Sequence, residues 1–264
     1  MGHTRLGTIL KSRKWTAVVA ELDRLESVTL PGGSGFPESI AVIAGRTLEA
    51  AEVGLNKAVN EQGLRYAFYL LSQLALSARE ENWSRALQQI GIELSEDSSV
   101  FDLTIELQSA IDRHISTFSH PSDISEIAQR AVGDAISALA ASEAVTLFGS
   151  GRDELQTAIR PLSTKKGFSE LGQVFFARFI SRFLNFYLSR LTAGKFVQVG
   201  DVSSFNRALQ VHCEQSALVV RDFCGEWFSK TEYLEGIDLD NASRFVAVAV
   251  KKLQSGLKRQ KAES

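Results

Sequence analysis

The chain has 264 residues, a net charge of −2 and a hydrophobic fraction of 44%, the composition of an ordinary water-soluble globular protein with a sizeable core. Its two cysteines, Cys213 and Cys224, are too few for a disulfide framework. The N-terminal residues lack the apolar stretch of a secretion signal, so we expect a cytoplasmic protein.

The first part of the chain predicts a series of helices. Only four prolines occur in the whole sequence, which leaves long uninterrupted segments. Apolar residues recur at helical intervals over 12–26, and Ser12 is placed to cap that helix. Three glycines and two prolines within 30–37 end the pattern. Further helical patterns follow over 38–60, 64–78 and 82–90.

Polar residues spaced three apart mark the next helix starts. Such a pair forms a capping box when each side chain binds the backbone of the other residue. The candidate pairs are Ser99 with Asp102, Asp123 with Glu126, and Ser150 with Asp153. They predict a helix that ends near residue 114, another over 123–148, and a third after the loop 149–155.

The last part of the chain also reads as helix. The segments, in order, are a polar break at 159–167, a phenylalanine-rich helix at 174–191, a loop or short strand pair at 192–201, one long helix over 202–228, a link at 233–241 and a last helix over 242–257. Roughly three quarters of the chain is then helical, and strand-type alternation is absent. The sequence predicts an all-α fold, an irregular multi-helix bundle in a single domain over 1–264, with a potential sub-domain boundary in 149–167.

The segment "VFFARFISRFLNFYLSRL", residues 174–191, predicts the central helix of this bundle. At 100° per residue its polar side chains, apart from Arg190, collect in one narrow band, and aromatic and aliphatic side chains take nearly all the remaining circumference. We therefore expect neighbouring helices on several sides. Arg178 and Arg182 interrupt the apolar run, so we expect neither a transmembrane helix nor a membrane partner.

We call this band the polar strip. It consists of Arg178, Ser181, Arg182, Asn185 and Ser189. Two arginines one turn apart repel each other mildly, so some anion must compensate them. One interpretation pairs them with carboxylates of the same chain, and the other makes the strip a contact for a phosphate, a carboxylate or a partner protein.

The two ends of the chain are basic and its body is acidic. Residues 1–14 and 251–264 each carry a net charge of +4, which leaves −10 for the remainder. We interpret these segments as solvated tails or as contacts to phosphate. The candidate phosphate-contacting residues are Lys11, Arg13, Lys14, Lys258, Arg259 and Lys261.

Motifs for chemistry are weak. His114, His120, His212 and Cys213 are zinc-ligand types, but their spacing fits no structural zinc motif. The glycine-rich turns at 31–37 and 148–154 lack the ending of a phosphate-binding loop, and 235–241 lacks the glycine and glutamate of a calcium loop. We therefore expect no cofactor, metal or catalytic residues, and the evidence for an enzyme is slight.

Three functional hypotheses remain. The first is a non-catalytic interaction or scaffold protein with a protein partner, for example an accessory subunit of a bacterial phage-defence or mobile-element assembly. The second is a nucleic-acid-binding accessory protein that acts through its basic termini. The third is a ligand-binding protein or enzyme with an arginine-lined pocket behind the phenylalanine-rich helix.

Overall fold

The structure is a computed structural model that describes residues 12–28, 36–142, 151–192 and 199–263. It confirms the all-α fold: these residues form α-helices and one 3₁₀ turn, Arg160–Ser163, with no strand among them. The helices are α1 (Arg13–Val28), α2 (Phe36–Ala50), α3 (Glu52–Ala58), α4 (Gln62–Ser77), α5 (Trp83–Gln89), α6 (Val100–Phe118), α7 (Asp123–Ser142), α8 (Arg152–Ile159), α9 (Lys165–Thr192), α10 (Val199–Ser216), α11 (Leu218–Leu234) and α12 (Leu239–Glu263).

Two of the predicted long helices are each divided in two. The helix expected over 38–60 is interrupted at Ala51, between α2 and α3. The helix expected over 202–228 is interrupted at Ala217, between α10 and α11. Neither break falls on a glycine or a proline, and alanine is the strongest helix former. The sequence therefore gives no sign of either break.

Capping explains where several helices begin. Ser99 and Asp102 form the predicted capping box at the start of α6, and the Ser99 backbone donates to Asp102 Oδ2 at 2.8 Å. The prediction for α7 is wrong by one residue: Asp123 lies within the helix, and Ser122 and Ser125 exchange the capping hydrogen bonds, at 2.8 and 3.1 Å. A serine at both positions satisfies the same two backbone N–H groups.

The glycine-rich turn before α8 works differently from the prediction. Ser150, the expected cap, lies outside the described residues, and Gly151 occupies the N-cap position with φ of 78°. A positive φ is accessible to glycine at little cost, so this residue allows the chain to turn into α8. The predicted loop or strand pair at 192–201 falls largely on residues 193–198, which are also outside the described ranges.

Helix α9 is the central helix, as predicted. It contacts α2, α7, α10 and α11, and its phenylalanine side chains at 168, 175, 176, 179 and 183 are completely buried. Residues 165–167, predicted as part of a polar break, begin the helix instead. The buried apolar residues on either side of 149–167 belong to one continuous hydrophobic cluster, which runs from Trp15 to Leu257.

Phe68 of α4 joins the helices around α9. Its ring centroid lies 5.1–6.0 Å from five other aromatic rings, those of Phe168, Phe175, Phe176, Trp227 and Phe245. These rings belong to α9, α11 and α12, so one side chain connects four helices. Burying a ring of this size contributes about 2–3 kcal/mol before any ring–ring attraction.

Helices α9 and α11 approach each other closely through two glycines. A methyl group added to Gly172 would come within 2.5 Å of Cys224 Sγ. One added to Gly225 would collide with the carbonyl oxygen of Lys165 and with Ser169 Oγ. Because a backbone oxygen cannot move aside alone, Gly225 fixes the spacing of these two helices.

We expect Gly225→Ala to lower the free energy of unfolding by about 1–3 kcal/mol, because α9 and α11 must separate to admit the methyl group. Urea denaturation with far-ultraviolet circular dichroism measures this change. Gly256→Ala in α12 is the milder comparison, since its methyl would make a close contact of 3.3 Å with the carbonyl oxygen of Ser216 and with Val219 but no collision, and the change should stay below about 1 kcal/mol. Equal stability of the two variants would contradict the close approach.

Candidate functional site: the groove along helix α9

The polar strip occupies the side of α9 that its neighbours leave partly open. Helix α7 lies along one edge of the strip and α10 along the other. Between them runs a groove with two connected parts, which share Arg182, Asn185 and Asn206 as lining residues. We call it the α9 groove.

Arg182 is held by Asp134 of α7. Its Nε and Nη2 atoms donate to the two carboxylate oxygens at 2.7 and 2.9 Å, and both side chains are about one-third exposed. This bidentate geometry fixes the plane of the guanidinium group. A guanidinium has five N–H donors, so the edge that faces away from Asp134 keeps donors for another acceptor.

Arg178 is paired less completely. Its Nη2 lies 3.3 Å from Glu214 Oε1 on α10, and the side chain of Gln210 donates to the same oxygen at 3.1 Å. The Arg178 Nε is buried and has no hydrogen-bond partner among the described residues. A buried donor without an acceptor costs free energy, so Glu214 does not fully satisfy this guanidinium group.

The other members of the strip divide between the surface and the interior. Ser181 is only 6% exposed, and its hydroxyl hydrogen-bonds the buried thiol of Cys213. Asn185 lines both parts of the groove, and Ser189 is exposed at one end. Arg178 and Arg182 thus carry the carboxylate partners that the first interpretation of the strip requires, while their remaining donors border the groove.

We call the part of the groove between α9 and α10 the basic lobe. It has a volume of about 470 Å³. All its lining side chains are polar: Asp134, Arg178, Ser181, Arg182, Asn185, Asn206, Arg207 and Gln210. Arg207 is exposed and forms no ion pair with any residue in the described part of the chain. Three guanidinium groups therefore meet here.

The part between α7 and α9, which we call the mixed lobe, has a volume of about 330 Å³. Its walls include the acidic Asp123 and Glu126 and the basic Arg130, together with the apolar Ile127 and Phe186. Apolar and charged groups alternate along this lobe, whereas the basic lobe has no apolar lining residue.

Sequence reasoning identified the strip but missed the walls of the groove. Asn206 and Arg207 lie on α10, in a region that reads as an ordinary amphipathic helix, and Arg130 lies on α7. Their approach to the strip depends on how α7 and α10 pack against α9. No local pattern in the sequence carries that information.

The basic ends meet at a single carboxylate. Glu52, at the start of α3, lies 3.7 Å from Lys14 Nζ of α1 and 3.2 Å from Lys258 Nζ of α12. The hydrogen bond and charge of Lys258, with a smaller contribution from Lys14, lower the pKa of Glu52. Two segments that are remote in sequence therefore lie side by side.

The remaining basic candidates are placed as follows. Arg13 is exposed at the start of α1, and Lys11 lies outside the described residues. Residues 251–263 continue α12, where Leu253 and Leu257 are buried in the core, so this basic segment is part of a core helix through residue 257. Arg259 and Lys261 occupy its final turns, and their side chains are not among those described.

His114 and His212 lie among packed side chains, whereas His120 is exposed. His114 stacks on Tyr66 with ring centroids 3.7 Å apart, and His212 is 8% exposed on α10. The His212 Nε2 atom is buried with no hydrogen-bond partner in the described part of the chain. Within those residues, no three histidine, cysteine or acidic side chains come together to hold a metal ion.

The two cysteines and the segment 235–241 also have structural roles. Burial raises the pKa of the Cys213 and Cys224 thiols well above the usual range, which disfavours the nucleophilic thiolate. The backbone N–H of Asn241 donates to the Asp238 side chain at 2.7 Å, and the backbone N–H of Asp238 donates to the Asn241 side chain at 3.2 Å, so this pair caps α12. Across the described ranges, no helix is long and apolar enough to cross a membrane.

No family model matches the chain, and no curated protein or solved structure is significantly similar to it. The α9 groove is accordingly interpreted from its own chemistry.

The burial of His212 predicts a pH dependence of stability. Burial lowers the pKa of His212 in the folded protein. As the pH falls through about 6.5, this histidine therefore becomes protonated in the unfolded chain before it does so in the folded protein. Stability is therefore fully present above that pH and declines as the pH falls below it. His212→Leu should reduce the loss of unfolding free energy between about pH 7.5 and about pH 5.5 by up to about 1 kcal/mol.

Urea denaturation of the wild type and of His212→Leu at the two pH values measures this difference. An equal loss in both proteins would show that His212 can be protonated without cost in the folded state.

Proposed function

We propose that the protein is a non-catalytic helical interaction protein, an accessory subunit that binds a protein partner along the α9 groove. The observation that carries the proposal is the groove itself. Among the described residues it follows a side of the central helix that α7 and α10 leave partly open, and it combines apolar, acidic and basic lining residues.

The chemistry of the mixed lobe supports a protein partner. Ile127 and Phe186 offer apolar contact at its centre, and the guanidinium of Arg190 lies 4.5 Å from the Phe186 ring at the same end of α9. Aromatic and arginine side chains of this kind are enriched in protein interfaces and often dominate their binding energy.

The ion pairs of the strip support the same proposal. Asp134 and Glu214 hold Arg182 and Arg178 in place without a partner, so a bound segment does not have to order these long side chains. Ordering a flexible side chain on binding costs about 0.5–1.5 kcal/mol, and a groove held by internal ion pairs avoids much of that cost.

We expect a tagged protein, purified from nuclease-treated extract of its host, to retain a stoichiometric protein partner that Arg182→Glu loses. A glutamate at this position would repel Asp134 and would remove the guanidinium donors that border the groove. Mass spectrometry and quantitative gel staining measure partner recovery.

Arg221→Glu is the matched control. Arg221 donates to Glu170 at 3.0 Å, with both side chains about 38% exposed, and neither residue lines the groove. The control should retain the partner. Equal loss in both variants, or equal retention, would remove the groove from the proposal.

A second candidate function, nucleic-acid binding, is favoured by the meeting of the two basic ends at Glu52. Lys14 and Lys258 contact the same carboxylate, and Arg13 is exposed one residue before Lys14. Cationic groups that are close in space can contact neighbouring phosphates of one nucleic acid. Two flexible tails that lie apart would lose more conformational freedom in making the same contacts.

If this second function holds, binding of a labelled DNA or RNA oligonucleotide should weaken steeply as salt rises. The triple variant Arg13→Gln, Lys14→Gln and Lys258→Gln should reduce the slope of log affinity against log salt by about two to three. Three substitutions of exposed cations elsewhere, Arg85→Gln, Lys230→Gln and Arg244→Gln, form the control. Binding that is insensitive to salt, or an equal effect of both triples, would reject this function.

A further inference from the structure

We infer that the basic lobe of the α9 groove is a binding site for a phosphoryl group. The inference concerns the same groove as the proposed function and depends on that function only for the biological source of the phosphate. It follows from three features of the lobe: the oriented guanidinium groups of Arg178 and Arg182, the position of Arg207, and the size and polar lining of the cavity.

The first feature is the orientation of the arginines. Asp134 takes two donors of Arg182 and leaves the opposite edge of the planar group in a fixed position. Arg178 is held by Glu214 through Nη2, and its side chain is only 19% exposed, so it too has little freedom. Guanidinium groups that are fixed in advance bind oxyanions with a small loss of side-chain entropy.

The second feature is the unpaired Arg207 on α10. It faces the same cavity as Arg178 and Arg182 but forms no ion pair with a described residue. Three guanidinium groups from two helices then surround a cavity that contains one carboxylate, Asp134, while Glu214 engages Arg178 from the side. The balance of three positive charges against two negative ones favours an anion.

The geometry favours phosphate over carboxylate. A carboxylate offers two oxygens in one plane, which a single arginine fork satisfies. A phosphoryl group offers acceptor oxygens in several directions, which suits a cavity lined by guanidinium groups from two helices, α9 and α10. The amide side chains of Asn185, Asn206 and Gln210 line the same cavity and add neutral hydrogen-bonding groups around it.

The third feature is the size and lining of the lobe. A volume of about 470 Å³ accommodates a phosphoryl group together with a small group that carries it. None of the lining residues is of an apolar type, so the lobe favours a polar ligand over a hydrophobic one. The phosphate could belong to a modified side chain of a partner or to a small phosphorylated molecule, and the chemistry of recognition is the same.

Isothermal titration calorimetry at low salt tests the inference, with pyrophosphate and a phosphoserine-containing tripeptide as probes. We expect saturable binding of at least one probe by the wild type. Arg207→Gln should weaken it by about tenfold or more, because a charge-assisted hydrogen bond is lost. Arg207 is exposed and forms no ion pair in the described part of the chain, so this variant should fold normally, which circular dichroism checks.

Arg221→Gln, which removes a comparable arginine outside the groove, should bind as the wild type does. Failure of the wild type to bind either probe would overturn the inference, and so would equal binding by the Arg207 and Arg221 variants. Tighter binding of the tripeptide would identify a modified partner as the source, and tighter binding of pyrophosphate a small molecule.

The two proposals fail separately. If Arg182→Glu loses the protein partner and the wild type binds neither probe, the interaction groove is supported and the phosphoryl site is rejected. If the wild type binds a probe but retains no protein partner, the phosphoryl site is supported and the interaction groove is rejected.

Discussion

The burial of helix α9 is the constraint on which the rest of the structure depends. Its aromatic side chains cover most of its circumference, so other helices must enclose it on nearly every side. Helices α2, α7, α10 and α11 do so, and Phe68 links this shell to α4 and α12. The glycines at 172 and 225 let α11 come close enough to complete the enclosure.

The candidate site follows from the same constraint. Polar side chains predominate in the narrow strip of the phenylalanine-rich segment, and α7 and α10 contact α9 on either side of it and leave a groove. Arginines in that position need anions, and Asp134 and Glu214 come from the two flanking helices. The internal carboxylates thus compensate the arginines and orient them, as the first interpretation of the strip requires.

The sequence predicted the central helix and its strip because both depend on side-chain period within one helix. Phe176 and Phe183 are buried and Ser189 is exposed, as the helical wheel requires. Ser181 is buried although the wheel places it on the polar side, because Cys213 of the neighbouring α10 covers it. The helix breaks at Ala51 and Ala217 are not marked by a glycine or a proline. The groove walls and the junction at Glu52 depend on contacts between distant segments, which one sequence does not encode in any local pattern.

The junction at Glu52 also has a mechanical consequence. Because Lys14 and Lys258 contact the same side chain, a pulling force applied between α1 and the end of α12 would act across a short gap. Such a force would load the ion pairs at Glu52 and the packing of α1 and α12 on α2 before it reached the part of α12 whose Phe245 stacks on Phe68. The molecule would then release α1 and the last turns of α12 first under tension and keep the aromatic core around α9, with its groove, assembled until later.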